Sequence, residues 1–316
     1  MAASRERILI TGAAGFIGAC LTRNLIAAGH EVHALVRPGS DTWRLADVEG
    51  QYTRHRVDLL DGSGVRQAVT ASRSEIIFHL AAHGAYSGQK HRATIMANTL
   101  LGTANLLDAL TDCDYRVLVH TGSSSEYGHK TGPMRPDDGL QPRTDYAVAK
   151  AAASLLCLAE SHNGRPVVVV RVFSAYGPWE DPTRLVPYVM RCCHRGEPVR
   201  VSAGWQPRDF IYVDDVVDLL KIAALQPGAH GHILHACTGR QSTVRDMVQT
   251  IVSVCGAGLV QTFLGAEPVR PGEPTSWVGS LAETTALTGW NPHHTLRSGI
   301  EHMWAWYQST HGRQAA

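Results

Sequence analysis

The segment RILITGAAGFIG, residues 7–18, restricts what this chain can fold into more than any other stretch. Ile8, Leu9 and Ile10 have the aliphatic, turn-bounded character of a buried strand, and residues 16–28 repeat apolar side chains at helical spacing. Between the two, glycines fall at every third position. Gly12 can take the backbone angles of a tight strand-to-helix turn, Gly15 lets a ligand approach the main chain, and Gly18 lets the helix lie close to the strand. The free N–H groups and positive dipole end of that helix favour a diphosphate. Because the spacing is GxxGxxG, the flanking strand and helix carry as much of this reading as the glycines do.

Composition narrows the partners. The 316 residues carry a formal net charge of +1 and no long Lys/Arg run, which argues against a nucleic-acid or membrane-surface binder. At 44% hydrophobic, the chain can build a sizeable core. Residues 1–7 are polar and charged, and no apolar run reaches membrane-spanning length, so a cytoplasmic protein is expected. The seven cysteines form no CxxC pair and read as reduced thiols. No metal site is expected: Cys192, Cys193 and His194 are adjacent and point to different faces of a helix, and the neighbours His293 and His294 are read the same way.

Past the glycine loop the chain alternates. Gly29 is a natural helix stop, residues 31–36 read as a second strand, residues 55–59 as a third, residues 76–82 as a fourth, a helix covers 94–110, and residues 116–120 make a fifth strand. Such alternation predicts an α/β fold with a doubly wound parallel sheet, whose ligands bind at the carboxyl ends of the strands. Gly12, Arg37, Asp58, Ala81 and Ser123 then share one rim. At the end of the second strand an acid would accept ribose hydroxyls, whereas an arginine suits a 2′-phosphate. The residue there is Arg37, so NADP(H) is favoured over NAD, and Asp58 is expected to face the adenine.

Two pieces of chemistry meet on this rim: TGSSSEYG at residues 121–128 and YAVAK at residues 146–150. Tyrosine and lysine four apart share a helix face, and an ammonium beside a phenol is expected to lower the phenol's pKa so that it can exchange a proton. A nearby serine hydroxyl can hold the substrate oxygen.

With these residues in view the chain resembles the extended branch of the short-chain dehydrogenase/reductase family, in particular its nucleotide-sugar epimerases, dehydratases and reductases. The resemblance rests on TGAAGFIG, HLAA at residues 79–82, residues 98–107, GSSSEYG, YAVAK, RVFSAYGP at 171–178, RDFIYVDDVV at 208–217 and GWNP at 289–292. It implies a Rossmann domain over residues 1–172 and a smaller α/β nucleotide-sugar lobe over 173–316, with segments near 210–245 returning to the core. It implies Ser123, Tyr146 and Lys150 as the catalytic trio. Cofactor contacts follow at Gly12, Gly15, Phe16, Ile17, Gly18, Arg37, Asp58, Leu59, Ala81 and Ala82, with Tyr146 and Lys150. Substrate contacts follow at His83, Ser124, Ser174, Arg208 and Arg270. Ser174 and His235 stand where family members commonly carry asparagine.

Beyond residue 173 prolines 178, 182 and 187 interrupt the pattern, and residues 199–201 and 210–213 read as short strands. Asp214 is expected to cap a helix through 225, residues 233–236 to return to the main sheet, and residues 244–254 and 296–307 to be helical. The alanine- and leucine-rich helices at 97–110 and around Tyr146 suit pairing across a two-fold axis, which predicts a homodimer. A 4,6-dehydratase needs a carboxylate pair after the catalytic serine, and Ser124 and Ser125 stand there instead. Arg37 therefore favours NADPH-dependent reduction of a nucleotide-linked 4-keto-6-deoxyhexose. The alternatives are a 4-epimerase holding NAD and a non-catalytic dinucleotide sensor.

Overall fold

A computed structural model describes residues 5–86, 88–256, 260–269 and 272–311. Six strands, β1 (Arg7–Thr11), β2 (Glu31–Val36), β3 (Thr53–Arg56), β4 (Ile76–His79), β5 (Val117–Ser123) and β6 (Val167–Val172), join a seventh, Ile233–Ala236, in one sheet. The order is β3-β2-β1-β4-β5-β6-seventh, and all pairs are parallel. This is the expected doubly wound sheet. Its order reverses between β1 and β4, the place where open α/β sheets leave a crevice for ligands.

Alternation along the strands builds a core on each face. Ile8 and Ile10 of β1 pack with Val32, Ala34, Ile76 and Phe78 under the helix Phe16–Ala27. Leu9, between them, points the other way and packs with Leu35, Ile77, Leu118 and Val169 against the helices Gly62–Ser72 and Gly102–Leu110. A third cluster, including Tyr176, Met190, Val201, Tyr212, Ile251 and Met303, lies beside the sheet and binds together the helices Leu185–Arg195, Val244–Val254 and Leu296–His311. The seventh strand and the helix Val244–Val254 match the sequence reading.

The differences have local causes. The helix expected over 94–110 runs as Arg92–Met96, a wide π-type turn at Ala97–Leu101, then Gly102–Leu110. In that turn the Thr99 hydroxyl accepts from the His83 N–H at 3.0 Å and donates to the His83 carbonyl at 3.2 Å, so the wide turn holds the loop after β4. Pro187 does not break its segment, because it lies in the first turn of Leu185–Arg195, where an N–H has no helical partner to lose. The helix expected to be capped by Asp214 starts two residues earlier, at Val213 with Tyr212 at its N-cap, and Asp214 sits in its first turn. β3 stops at Arg56, which leaves Asp58 and Leu59 in the following loop. Among the described residues no helix is long and apolar enough to cross a membrane.

Candidate active site

The glycine loop is built by exclusion. Gly12 has φ +71°, and a Cβ there would lie 2.6 Å from the Ala81 nitrogen; a Cβ at Gly18 would lie 2.1 Å from the Gly12 carbonyl oxygen. Any side chain at either position forces β1, β4 and the helix apart. At Gly15 a Cβ would meet the Gly12 oxygen at 3.1 Å, a milder conflict, so its lack of a side chain chiefly clears the approach to the helix. Gly15 also begins the helix Phe16–Ala27 with no side-chain cap, so no side chain competes with an anion for the first-turn N–H groups. Those residues fit a dinucleotide diphosphate.

Across the sheet, β5 delivers Ser123 to the same rim. The Ser123 side chain accepts from the Ser125 N–H at 3.2 Å and its hydroxyl shares a 2.8 Å hydrogen bond with that of Ser125. Behind it the Ser123 N–H donates to Glu126 Oε1 at 2.6 Å, closing a capping box on a short 3₁₀ turn. Thr144 caps the helix Asp145–His162, accepting from the Ala147 N–H at 3.1 Å, which places Tyr146 in the first turn and Lys150 one turn on. Ser123 and Tyr146 line the same cleft, where the serine hydroxyl acts on the phenol.

The electrostatics differ from expectation. Burial pushes the Tyr146 phenol up to about 12, against the opposing effects of the Ser123 hydroxyl and the Arg184 charge. Lys150 is fully buried, and its Nζ donates to the Thr121 carbonyl; the same burial pulls its own pKa down. The lowering of Tyr146 by Lys150 that the YxxxK spacing predicts is therefore absent, because the ammonium is turned to the backbone of β5. Beneath Lys150, His79 is held neutral at about 3 by burial and by the lysine charge, bridging Thr11 at 2.6 Å and Thr103 at 2.8 Å.

These groups open on a cleft of about 790 Å³. The expected cofactor residues Gly12, Gly15, Phe16, Ile17, Gly18 and Ala82 line it, as do Ser123, Tyr146, Lys150, Ser174 and Arg208. Others do not. Arg37 is exposed and touches Asn98 Oδ1 at 3.5 Å; Asp58 accepts from the Leu60 N–H at 3.0 Å; the Leu59 carbonyl accepts from Asn105 at 2.7 Å. Ala81 packs under Gly12, and the main chain of His83 is held by the Thr99 hydroxyl. Ser124 is buried away from the cleft, and it is Ser125 that lines it, a correction that follows from the tight 3₁₀ turn. Arg270 lies outside the described residues.

On the opposite wall sequence reasoning named Arg208 and missed its neighbours. Arg184 donates to the Ala85 carbonyl at 2.7 Å and stacks on Tyr86 with 5.2 Å to the ring centroid. Near it Glu180 is pushed up to about 8 by burial, and its Oε2 is buried without a hydrogen-bond partner among the described residues. Arg208 pairs with Glu273 at 2.7 Å and also donates to the Pro207 carbonyl. No local pattern marks Glu180, which stands in a proline-interrupted loop; Glu273 could have been found only as the acid three residues after Arg270.

Known proteins agree with this architecture. The chain aligns with a probable UDP-glucuronate 4-epimerase of Rhizobium meliloti (strain 1021) at 26% identity, covering 97% of this chain and 98% of that one. A dTDP-glucose 4,6-dehydratase of Streptomyces niveus is 27% identical over 96% of this chain and 93% of its own length. Among solved structures, MoeE5 in complex with UDP-glucuronic acid and NAD superposes with a TM-score of 0.83 at 30% identity, covering 96% and 99% of the two chains. Residues 8–237 match the model of the NAD dependent epimerase/dehydratase family, and the chain belongs to that family.

Proposed function

We propose that this protein epimerises a nucleotide-linked sugar at carbon 4 with NAD held on the glycine loop. The observation that carries the reading is that Ser123, Tyr146 and Lys150 line one cleft with that loop, where the neighbouring Ser125 offers a hydroxyl and Glu126 is turned into the protein. A serine cannot serve as the base that dehydration requires, and Glu126 is fully committed elsewhere, so the groups beside Ser123 suit a reaction confined to the carbon-bound hydroxyl. The relatives support an epimerase more directly than the ketoreductase favoured from sequence, and MoeE5 is complexed with NAD.

Gly12, Gly15 and Gly18 would hold the diphosphate, and Lys150 the nicotinamide ribose. When bound, NAD supplies reversible hydride acceptance. Tyr146 takes and returns the proton of the 4-hydroxyl, and Ser123 steadies that oxygen. Arg208 and the residues after 172 hold the nucleotide side of the substrate. NADPH-dependent 4-keto reduction is the second reading, favoured by Arg37 at the end of β2 with its guanidinium exposed. We also propose a homodimer. Val148, Leu155 and Leu156 recur at helical spacing on the helix of Tyr146, and Leu101 stands on the helical segment packed beside it; all four are exposed. The seven free thiols fit the cytoplasmic setting expected from sequence.

The test is to incubate the purified protein with UDP-glucose, UDP-glucuronate and dTDP-glucose and to follow the appearance of the 4-epimer by proton NMR. Epimer formation without added cofactor, with NAD released on denaturation, is the expected result. NADPH consumption with a 4-keto-6-deoxy sugar nucleotide and no exchange at carbon 4 would replace it with the reductase.

A further inference from the structure

Glu126 is fully buried and is shared among three elements. Its Oε1 accepts from the Ser123 N–H at 2.6 Å and from the Ser154 hydroxyl at 3.0 Å, and its Oε2 accepts from Arg171 Nε at 2.8 Å. Ser154 lies one turn past Lys150 and two past Tyr146 on the same helix, and Arg171 lies on β6 opposite Gly122 in register. The junction is fitted closely: a Cβ at Gly122 would lie 2.7 Å from Glu126 Oε1, 2.9 Å from Arg171 Cγ and 3.1 Å from Ser154 Oγ.

We propose that Glu126 is a positioning residue that fixes the main chain of Ser123 against the helix bearing Tyr146. An ion pair serving stability alone would be satisfied by a two-pronged Arg171–carboxylate contact. Instead Arg171 gives only Nε, leaves Nη1 buried without a partner among the described residues, and stacks on Tyr127 at 4.4 Å. The second carboxylate oxygen is reserved for Ser123 and Ser154, the two strands of contact that tie the reacting serine to the tyrosine's helix. Glu126 also acts on the proton of Tyr146. Its negative charge favours the neutral phenol, as does Tyr86, whereas Arg184 and the Ser123 hydroxyl oppose them. The inference rests on the proposed roles of Ser123 and Tyr146.

The experiment uses the full chain saturated with NAD, with the variants Glu126→Gln and the double variant Glu126→Leu with Arg171→Met. The double variant replaces the buried pair by apolar groups, an exchange folds commonly tolerate, and so guards against misfolding from an unpaired Arg171. Both variants are expected to lose about 10- to 100-fold in kcat for carbon-4 exchange, the scale of a small misplacement of reacting groups. KM stays within about threefold, because ground-state binding is untouched. In Glu126→Gln the rise of kcat with pH moves down by about half a unit or more, since a buried negative charge that favours the neutral phenol is gone. Amide exchange in residues 121–128 rises about tenfold as the tether opens, while β1 and β4 stay protected. A double variant with wild-type kcat overturns the proposal and leaves the epimerase reading intact, and so does unchanged exchange at residues 121–128 in both variants. A Glu126→Gln enzyme whose kcat, KM and melting temperature fall together with no movement in pH marks a merely structural role and also overturns it. A wild-type protein that exchanges no carbon-4 pair overturns the epimerase and, with it, the claim that Glu126 serves a reacting serine.

Discussion

The two walls of the cleft are made differently. On one side Gly12, Ser123, Tyr146 and Lys150 stand at the ends of β1 and β5 and on a capped helix, all seated on the packed sheet. On the other, Glu180, Arg184, Arg208 and Glu273 come from loops, short strands and a helix start between the sheet and the third cluster. Rigid elements suit groups that must meet a reacting atom within a fraction of an ångström, while loops can change to suit a different sugar or nucleotide. The first wall should therefore control rate and the second affinity.

Replacing Tyr146 with phenylalanine is the strongest way to break that division. Loss of the proton carrier should lower kcat by about 100-fold or more while NAD and sugar-nucleotide affinities stay within about threefold. Calorimetric titration beside the turnover assay checks both. A large loss of sugar-nucleotide binding instead would move Tyr146 to the affinity wall and remove the distinction.

The same division explains what the sequence revealed. Gly12, Gly15, Gly18, Ser123, Tyr146 and Lys150 were legible because each sits at a fixed offset from a regular element, and steric exclusion at Gly12 and Gly18 permits one residue type. Ser124 was misplaced because a 3₁₀ turn advances faster per residue than the eye assumes, so that Ser125 reaches the cleft. β3 ends at Arg56, so Asp58 and Leu59 stand in the loop that leaves its carboxyl end and not in the strand itself. Glu180 and Arg184 were invisible, because their approach to Tyr86 and Tyr146 is set by a loop path that no periodicity encodes. The effect of Lys150 on Tyr146 was inferred from spacing alone, and the Thr121 carbonyl captured the ammonium instead.

On the affinity wall, Arg208→Ala should weaken sugar-nucleotide binding by about 30-fold, because it removes a cation and leaves the partly buried Glu273 unpaired where a diphosphate is to bind. NAD affinity and kcat at saturation should hold. Adding Glu273→Gln should recover part of the loss, as it removes the stranded charge. Equal loss of NAD and sugar-nucleotide affinity in Arg208→Ala would mean that the two walls are not separable.

The smallest effect tests the wall by pH. Burial raises the Glu180 carboxyl from its ordinary value of 4.5 to about 8, so near neutrality it is mostly protonated and adds little charge to the cleft. As pH rises through about 8 it ionises, and a diphosphate must then enter beside a new negative charge. Sugar-nucleotide affinity should therefore fall by about fivefold from pH 7 to pH 9 in the wild type and stay flat in Glu180→Gln, while kcat at saturation follows Tyr146 in both. Linkage fixes the sign for stability. The folded chain keeps a proton that the unfolded chain releases, so Glu180 costs stability increasingly between pH 4.5 and about 8. Glu180→Gln should raise the melting temperature more at pH 9 than at pH 5. A wild-type affinity that does not change over this range would show that Glu180 faces neither phosphate nor sugar, and would leave Arg208 and Glu273 as the basic and acidic determinants of that wall.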